Sequence, residues 1–548
     1  MNFFRPAILD SFQGYSRSQF SQDVLAGISV GIVALPLAMA FAIASGLKPE
    51  AGIFAAIIGG IAVALLGGTK VQIAGPAGAF IVIVYGIVDR YGLANLLLAT
   101  TLSGIFLFLM GVFRLGTLVR FIPVAVIVGF TNGIAVLIIL SQIKDFFGLA
   151  IDKMPSQFFG IIQTLYQASV SFNSFAIGIS LVSIAILVLW KLNKKRLGRL
   201  AHIPATILVL IMATLVTSLF SLPIETIGSR FGGIPSSLPA PKWLDITWES
   251  AQFVIVPAMT LAFLGAIESL LCARIADGLT HDRHRPNQEL MGQGIANFIM
   301  PFFGGMPVTG TIARTVTNIE SGARTPISAI VHSLTLLIII LLAAPLAKHI
   351  PLACLAAILI FIAWNMGEWK KFIDFHQFRL PYQITMMSVF LLTIMVDLTV
   401  AVEIGLLLAF LTFIYRISSL SRIEPAQVND YPFLKGLEGK VAAYRIYGAL
   451  FFGAVQLLEE IESNLPENIV ILDFKNVIYM DTTGMDSLFE FIHYCHLRGV
   501  SIYICGLAHQ PNDIAKRSGL YQKIKAEFFF HDLPTGLQKA KDSLSVGL

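Results

Sequence analysis

The chain has 548 residues, of which 56% are hydrophobic and only 13% charged, and its mean hydropathy is +0.78. That balance excludes a soluble globular protein and describes a polytopic membrane protein. The net charge of +5 resides in short basic clusters between apolar runs, where it reads as a topology signal and argues against nucleic acid as a partner.

Residues 1–22 carry Arg5 and Arg17 but no cleavable signal pattern, so they are expected to stay as a cytoplasmic N-terminal segment. From 23 to 420 apolar runs follow one another with short breaks, and span lengths of about 17–25 residues give roughly twelve full spans plus two short, interrupted ones. Lys and Arg concentrate in alternate turns, as in KLNKKRLGR (191–199), which places both ends of the chain on the inner side.

The first interrupted segment is GGTKVQIAGPAGAFIVIVYGIV (67–88). Glycines and an extended stretch come first, and the segment is expected to turn helical only after Gly75 and Pro76, a good first-turn position for proline. The second, FFGGMPVTGTIARTVTNI (302–319), repeats the design, with an extended VTGT and a short helix from about Thr311; each follows a Gly-Ile-Ala triplet (60–62 and 294–296). Gly/Pro-broken segments at matching places in two halves point to a transporter binding site. Each half-helix presents unpaired N–H groups and the positive end of its dipole, so residues 76–80 and 311–315 are expected to form an anion site. Arg314 adds a full charge, and the hydroxyls of Thr309, Thr311 and Thr315 are further donors unless they satisfy their own backbone.

Immediately before the second broken segment, PAMTLAFLGAIESLLCARIADG (257–278) holds Glu268 as the acid of its apolar part. An ionised carboxylate at that depth costs at least about 2.5–3.5 kcal/mol, so it needs a cavity, a partner or a proton. Glu268 is either hydrogen-bonded structural glue or the site of a proton or cation that travels with the anion. Glu403 and Asp397 are rival acids, but neither adjoins a broken segment.

After a linker at 421–437 the composition turns mixed and charged. The β-rich runs 441–455, 468–481 and 500–507 alternate with helix-like stretches, so 438–548 reads as a small α/β module. Cys272, Cys354, Cys495 and Cys505 show neither disulfide nor zinc spacing, and a complete P-loop is absent. No cofactor, metal or enzymatic activity is expected.

The stretches DVLAGISVGIVALPLAMAFAIASGLKPEAGIF (23–54), AGPAGAF (74–80), LGAIESLLCARIADG (264–278), NQELMGQGIANFIMPFFGGMPVTGTIARTVTNIESGARTP (287–326) and AWNMGE (363–368) resemble the sulfate permease (SulP) family. GAIESLLC, QIKDFFGL and AWNM are similar to its bacterial C4-dicarboxylic acid transporter branch. The resemblance implies 14 transmembrane segments in a seven-plus-seven inverted repeat (about 23–220 and 251–418), divided into core and gate as in the uracil transporters. It places the substrate at Phe41, Gly75, Pro76, Ala77, Gly78, Thr311, Ala313 and Arg314, with Glu268 as the coupling-proton site. Sodium-coupled bicarbonate members carry an aspartate and a threonine where this chain has Glu268 and Cys272, and a thiol is a poor ligand for a hard cation. The tail resembles a STAS domain, whose signature loop appears as Asp481-Thr482-Thr483-Gly484; this makes Thr483 a candidate phosphorylation site, although a threonine there also simply caps a helix.

The leading expectation is therefore a proton-coupled transporter of C4-dicarboxylates in the bacterial inner membrane, a homodimer with a cytoplasmic regulator docking at the STAS domain. One alternative keeps the transporter and changes the cargo to bicarbonate or sulfate, moved by sodium symport or exchange. Another is an anion-sensing membrane scaffold that signals through the STAS domain.

Overall fold

The computed structural model describes residues 4–545 except 13, 118–122, 152–153, 156, 194–195, 197–203, 244–246, 397, 428–430, 432–438, 453–455 and 508. Lys194, Lys195 and Arg199 of the basic turn, the acid Asp397, and residues 428–430 and 432–437 of the linker lie outside the described residues. The chain forms two compact units, Met1–Leu406 and Leu407–Leu548.

The first unit repeats one order of elements. It begins with α1 (Arg17–Ala44), opened by a Ser16–Gln19 capping box, and α2 (Pro49–Leu66), which contains a π turn at Ala55–Gly59. Strand β1 (Ala74–Gly75) leads into α3 (Phe80–Val112), which Gly92, at φ 83° and ψ 170°, divides into a half-helix and a separate long segment. α4 (Val124–Phe147), α5 (Ser174–Leu192) and α6 (Ala205–Leu219) complete the first seven segments. The second seven follow the same plan: α7 (Ile255–Thr280), α8 (Pro286–Ile299), β2 (Thr309–Gly310) with the half-helix α9 (Ile312–Glu320), then α10 (Ile327–Ala347), α11 (Leu352–Met366), α12 (Leu380–Met395) and α13 (Leu398–Leu420).

Packing separates these segments into two groups. α1 lies on α10, and α3 lies on both α7 and α8, while α4 packs against α11 and α12 and α5 against α11. The α3–α8 contact is close enough to demand glycine. A Cβ on Gly104 would stand 2.6 Å from the Gly294 carbonyl, and one on Gly294 would stand 2.7 Å from that of Gly104. Such small-residue crossings bring helix backbones together where hydrocarbon supplies no hydrophobic drive.

The segments are not uniformly full spans, contrary to the count expected from hydropathy. α6, α8, α11 and α12 have 15, 14, 15 and 16 residues. Proline sets their starts: Pro204 and Pro351 are N-caps, Pro286 opens α8, and Pro381 lies in the first turn of α12. Hydropathy windows run through these prolines because their neighbours are apolar.

In the second unit, β3 (Arg422–Pro425), β4 (Val441–Leu450), β5 (Ile469–Met480), β6 (Ser501–Cys505) and β7 (Phe529–Phe530) form one sheet in that spatial order. β3 is antiparallel to β4 and the other pairings are parallel. The helices α14 (Gln456–Glu462), α15 (Thr482–Leu497), α16 (His509–Arg517) and α17 (Leu533–Ser545) alternate with the strands. Val470, Leu472 and Phe474 pack with Leu488 and Phe491, whereas Ile471 and Tyr503 pack with Leu537. Alternate residues of β5 thus serve opposite faces, as the period of a strand buried on both sides requires. The final turns of α13 belong to this unit, where Ile414 and Ile417 pack on Ala449 and Phe451.

Candidate functional site

β1 and β2 cross antiparallel, with Ala74 opposite Gly310 and Gly75 opposite Thr309. Two residues from each half of the chain cannot hold such a crossing alone, and side chains of α9 complete it. Thr311 N and Oγ1 both donate to the Ile73 carbonyl, at 2.9 and 2.8 Å, Ile73 N donates to Thr315 Oγ1 at 3.0 Å, and Asn318 Nδ2 donates to the Val71 carbonyl at 2.9 Å. Asn297 on α8 pairs with Val308 through both its amide atoms at 2.8 Å, and Thr309 Oγ1 donates to the Gly265 carbonyl of α7 at 3.0 Å. The threonine hydroxyls expected as anion donors are therefore engaged with backbone, because an extended stretch inside a bundle has no other supply of partners.

That engagement leaves the helix starts open. Thr311 is the N-cap of α9, yet its side chain makes no capping bond, its hydroxyl being turned to Ile73. Among the described hydrogen bonds the amides of Ile312, Ala313 and Arg314 have no acceptor, as expected for the first turn of an uncapped helix. On the other half, α3 begins at Phe80 rather than at Pro76. Phe80 N and Ile81 N bond the carbonyls of Ala77 and Gly78, Ala79 is an N-cap with no capping side chain, and Pro76 remains in the extended approach. Among the described hydrogen bonds the amides of Ala77, Gly78 and Ala79 have no acceptor.

Phe41 of α1 stands between the two starts. Its ring is 5.9 Å from the Arg314 guanidinium, and its Cε1 is 3.8 Å from where a Cβ on Gly78 would lie. Ile138 of α4 and Met366 of α11 approach that same point to 3.6 and 3.7 Å, so the second group of helices closes over Gly78 with apolar atoms. Ala313 is exposed and Gly78 half-buried, whereas Phe41 and Arg314 are 6% and 2% exposed. The amides line the opening and the guanidinium lies behind them. None of the three Arg314 side-chain nitrogens has a hydrogen-bond partner, and Nη1 lies 2.5 Å from where a Cβ on Gly75 would be, so the absence of a side chain at Gly75 gives the guanidinium its place. Beside the site a cavity of about 400 Å³ is lined by Ile43, Ile81, Tyr85, Leu137 and Gln142 and reaches the Arg230–Asp145 ion pair (2.8 Å).

Glu268 lies on the face of α7 that meets β2 and α9, between Gly265, which holds Thr309, and Cys272, whose thiol donates to Thr315 Oγ1 at 3.3 Å. It is half-buried, and its buried Oε2 has no partner. Among the described residues no cluster of three His, Cys, Asp or Glu side chains is placed to hold a metal. Glu403 is exposed on α13 and does not join the site.

A second buried carboxylate escaped the sequence reading. Glu289 of α8 is 0% exposed and receives five hydrogen bonds, from Gly68 N (2.8 Å), Thr69 Oγ1 (2.9 Å), Gln72 Nε2 (3.0 Å), Gln293 Nε2 (3.1 Å) and Ser269 Oγ (3.3 Å). The available signal was the four-residue spacing of Glu289, Gln293 and Asn297, a polar stripe on one face of an otherwise apolar helix. In the second unit Asp481, not Thr483, caps α15, its Oδ1 accepting from Gly484 N at 2.8 Å. Thr483 is exposed in the first turn.

Comparison with known proteins agrees with this geometry. Residues 20–389 match the model of the sulfate permease family and residues 436–533 that of the STAS domain. The chain is 40% identical to the putative sulfate transporter YvdB of Bacillus subtilis, over 96% of this chain and 99% of that protein. It is 29% identical to the bicarbonate transporter BicA of Picosynechococcus, over 92% of this chain and 91% of that one. The fold matches the structure of SLC26A9 with a TM-score of 0.87 at 18% identity, covering 98% of this chain and 93% of that one. It also matches the transmembrane domain of a cyanobacterial BicA with a TM-score of 0.63 at 30% identity, covering 72% and 98%. The expected dicarboxylate branch finds no support among these matches: YvdB is named for sulfate and BicA for bicarbonate. The half-helix crossing, the α/β tail and these matches together place the chain in the sulfate permease family, as a multi-pass anion transporter with a C-terminal STAS domain.

Proposed function

We propose that this chain is a secondary transporter of a small oxyanion of the sulfate or bicarbonate class. The observation that carries the reading is the pair of uncapped helix starts, Ala77–Ala79 and Ile312–Arg314, whose acceptor-less amides surround Phe41 with a buried guanidinium behind them. Amides recognise oxygen acceptors at close range, and the helix dipoles and Arg314 supply positive potential without requiring a two-carboxylate ligand. The names of the relatives favour the same cargo over a dicarboxylate.

Transport then follows from movement of the group carrying Phe41, the half-helices and Glu268 against the group carrying Ile138 and Met366. Contact at Gly78 seals one side while the other opens. Glu268 takes the coupling proton: its buried, partnerless oxygen suits a carboxyl that is neutral while the site is closed. Both termini face the cytoplasm, the membrane is the bacterial inner membrane, and two copies assemble. Thr483, exposed at the start of α15, remains open to phosphorylation, and a cytoplasmic regulator docks at the STAS domain.

Purified protein in liposomes tests the reading. Uptake of radiolabelled sulfate or bicarbonate, driven by an inward proton gradient and indifferent to sodium, is expected. Uptake of succinate in preference to both would restore the dicarboxylate, and absence of any flux would leave a sensor.

A further inference from the structure

Beyond the half-helix α9 the chain turns back into α10, and side chains join the two. Asn318 Nδ2 donates to Ser328 Oγ at 2.8 Å. One turn further from the loop on each helix stand Arg314 and His332, four residues from Asn318 and from Ser328, so they form the next rung of the same ladder. His332 is 0% exposed, and neither ring nitrogen has a hydrogen-bond partner. Five nitrogens without partners, two on His332 and three on Arg314, therefore occupy one buried rung, where most such groups are satisfied.

The surroundings of His332 hold little other charge. Its carbonyl faces α1 at Gly31, and its neighbour Ser333 bonds the Ala56 carbonyl in the π turn of α2 at 3.1 Å. α1 contributes Arg17 and Asp23, and Asp23 is held at the loop by Arg324 N, Thr325 and Tyr15. α2 contributes only Glu50, in its first turn, and α10 no other titratable side chain. α9 adds Glu320 at its far end and Arg314, the charge that acts on the ring. α7, which carries Glu268, meets α9 through the Cys272–Thr315 contact.

Resting on the anion-transport reading, we propose that His332 takes up a second proton when the bound anion is divalent and stays neutral when it is monovalent. An imidazolium beside Arg314 would place two like charges in a medium of low dielectric constant, which disfavours it while the site is empty. A monovalent anion is balanced by Arg314 once Glu268 is protonated. A divalent anion leaves one negative charge over, and a proton from the loading side, bound at a His332 ring nitrogen, neutralises it. That proton leaves when the anion leaves. By linkage, if the anion favours the protonated ring, the proton favours the bound anion by the same factor. Each proton taken up makes affinity rise tenfold per unit fall in pH across its titration range. Two protons should accompany sulfate and one should accompany nitrate.

The test is calorimetry of sulfate and nitrate binding to the purified full-length protein, in buffers of different ionisation enthalpy, which counts protons taken up per anion. Wild type should take up two with sulfate and one with nitrate. His332→Gln should take up one with either, while Glu268→Gln loses one from each. A structural role for His332 would change affinity and leave the count alone. His332→Asn serves if His332→Gln misfolds, and equal uptake with both anions in wild type overturns the inference without any variant. An unchanged count of two for sulfate in His332→Gln overturns it as well. If bicarbonate binds and sulfate does not, the inference fails and the transporter reading stands; if no anion binds, the reading itself fails.

Discussion

Two glutamates, Glu289 buried and Glu268 half-buried, twenty-one residues apart, sit on neighbouring helices of one bundle and have opposite surroundings. Glu289 receives five hydrogen bonds from three stretches of chain, and Glu268 has a buried oxygen with none. A carboxylate surrounded by donors ties those stretches of chain together, and one without donors ties none. The same contrast recurs at helix starts: Asp481 caps α15, while Thr311 is turned from its own helix and leaves α9 open. Satisfied groups build this molecule, and on the proposed reading the unsatisfied ones carry its anion and its protons.

The largest effect is expected on the satisfied side. Glu289→Gln puts an amide N–H₂ where five donors converge, so at least one buried donor loses its acceptor and two donors face each other. A loss of about 3–5 kcal/mol is the range for breaking a buried charged network, and it should appear as a large fall in melting temperature and loss of a monodisperse peak in detergent. A Glu289→Gln protein as stable as wild type would remove the distinction between the two acids.

Arg314→Ala comes next, and its effect belongs to binding. Losing a full charge behind the amides should weaken sulfate or bicarbonate binding by about 1–3 kcal/mol, roughly 5- to 150-fold. Folding should survive, since no hydrogen bond is lost with the guanidinium. Wild-type affinity in a folded variant would make Arg314 a packing residue.

These contrasts were unevenly legible in the sequence. The broken segments could be read because Gly304, Gly305, Pro307 and the VTGT stretch forbid continuous helix, and α9 begins at Ile312, next to the expected Thr311. Pro76 misled because first-turn preference describes where proline is allowed, whereas the chain leaves the β1–β2 crossing at Gly75, turns at Gly78–Ala79 and enters helix only at Phe80. Glu268 drew attention as a lone acid in an apolar run. Glu289 did not, because Asn287-Gln288-Glu289 reads as the polar end of a loop and the partners Gly68, Thr69 and Gln72 lie more than 200 residues away. His332, inside SAIVHSLTLL, has no local feature to separate it from a core histidine. The STAS signature was readable as a motif, yet which of its residues caps the helix depends on backbone angles at Asp481 that residue type alone does not determine.

Asp481→Ala removes a single cap and should cost about 1 kcal/mol locally. The Gly484 amide, bonded to Asp481 Oδ1, should then exchange with solvent roughly fivefold faster, while anion affinity stays constant. Unchanged exchange at Gly484 would mean that Leu450 and the packing of α15 hold the turn without the cap.

The smallest effect on stability, and the sharpest test of the contrast, belongs to Glu268→Gln. The buried oxygen has no donor to lose, and glutamine keeps the shape of the protonated acid, so melting should shift by less than about 0.5 kcal/mol equivalent. What changes is that the side chain can no longer ionise. On the proposed coupling, a proton bound at Glu268 would let the closed site cross the midplane without an ionised acid in hydrocarbon, and that proton would offset one negative charge that a negative-inside membrane would expel. With glutamine the site is fixed in its loaded form. Anion binding should persist and anion-for-anion exchange should continue, but accumulation driven by an inward proton gradient should lose its dependence on Glu268. Uptake by Glu268→Gln that still rises in full as external pH falls would place the coupling proton elsewhere, with His332 and then Glu403 the next residues to replace.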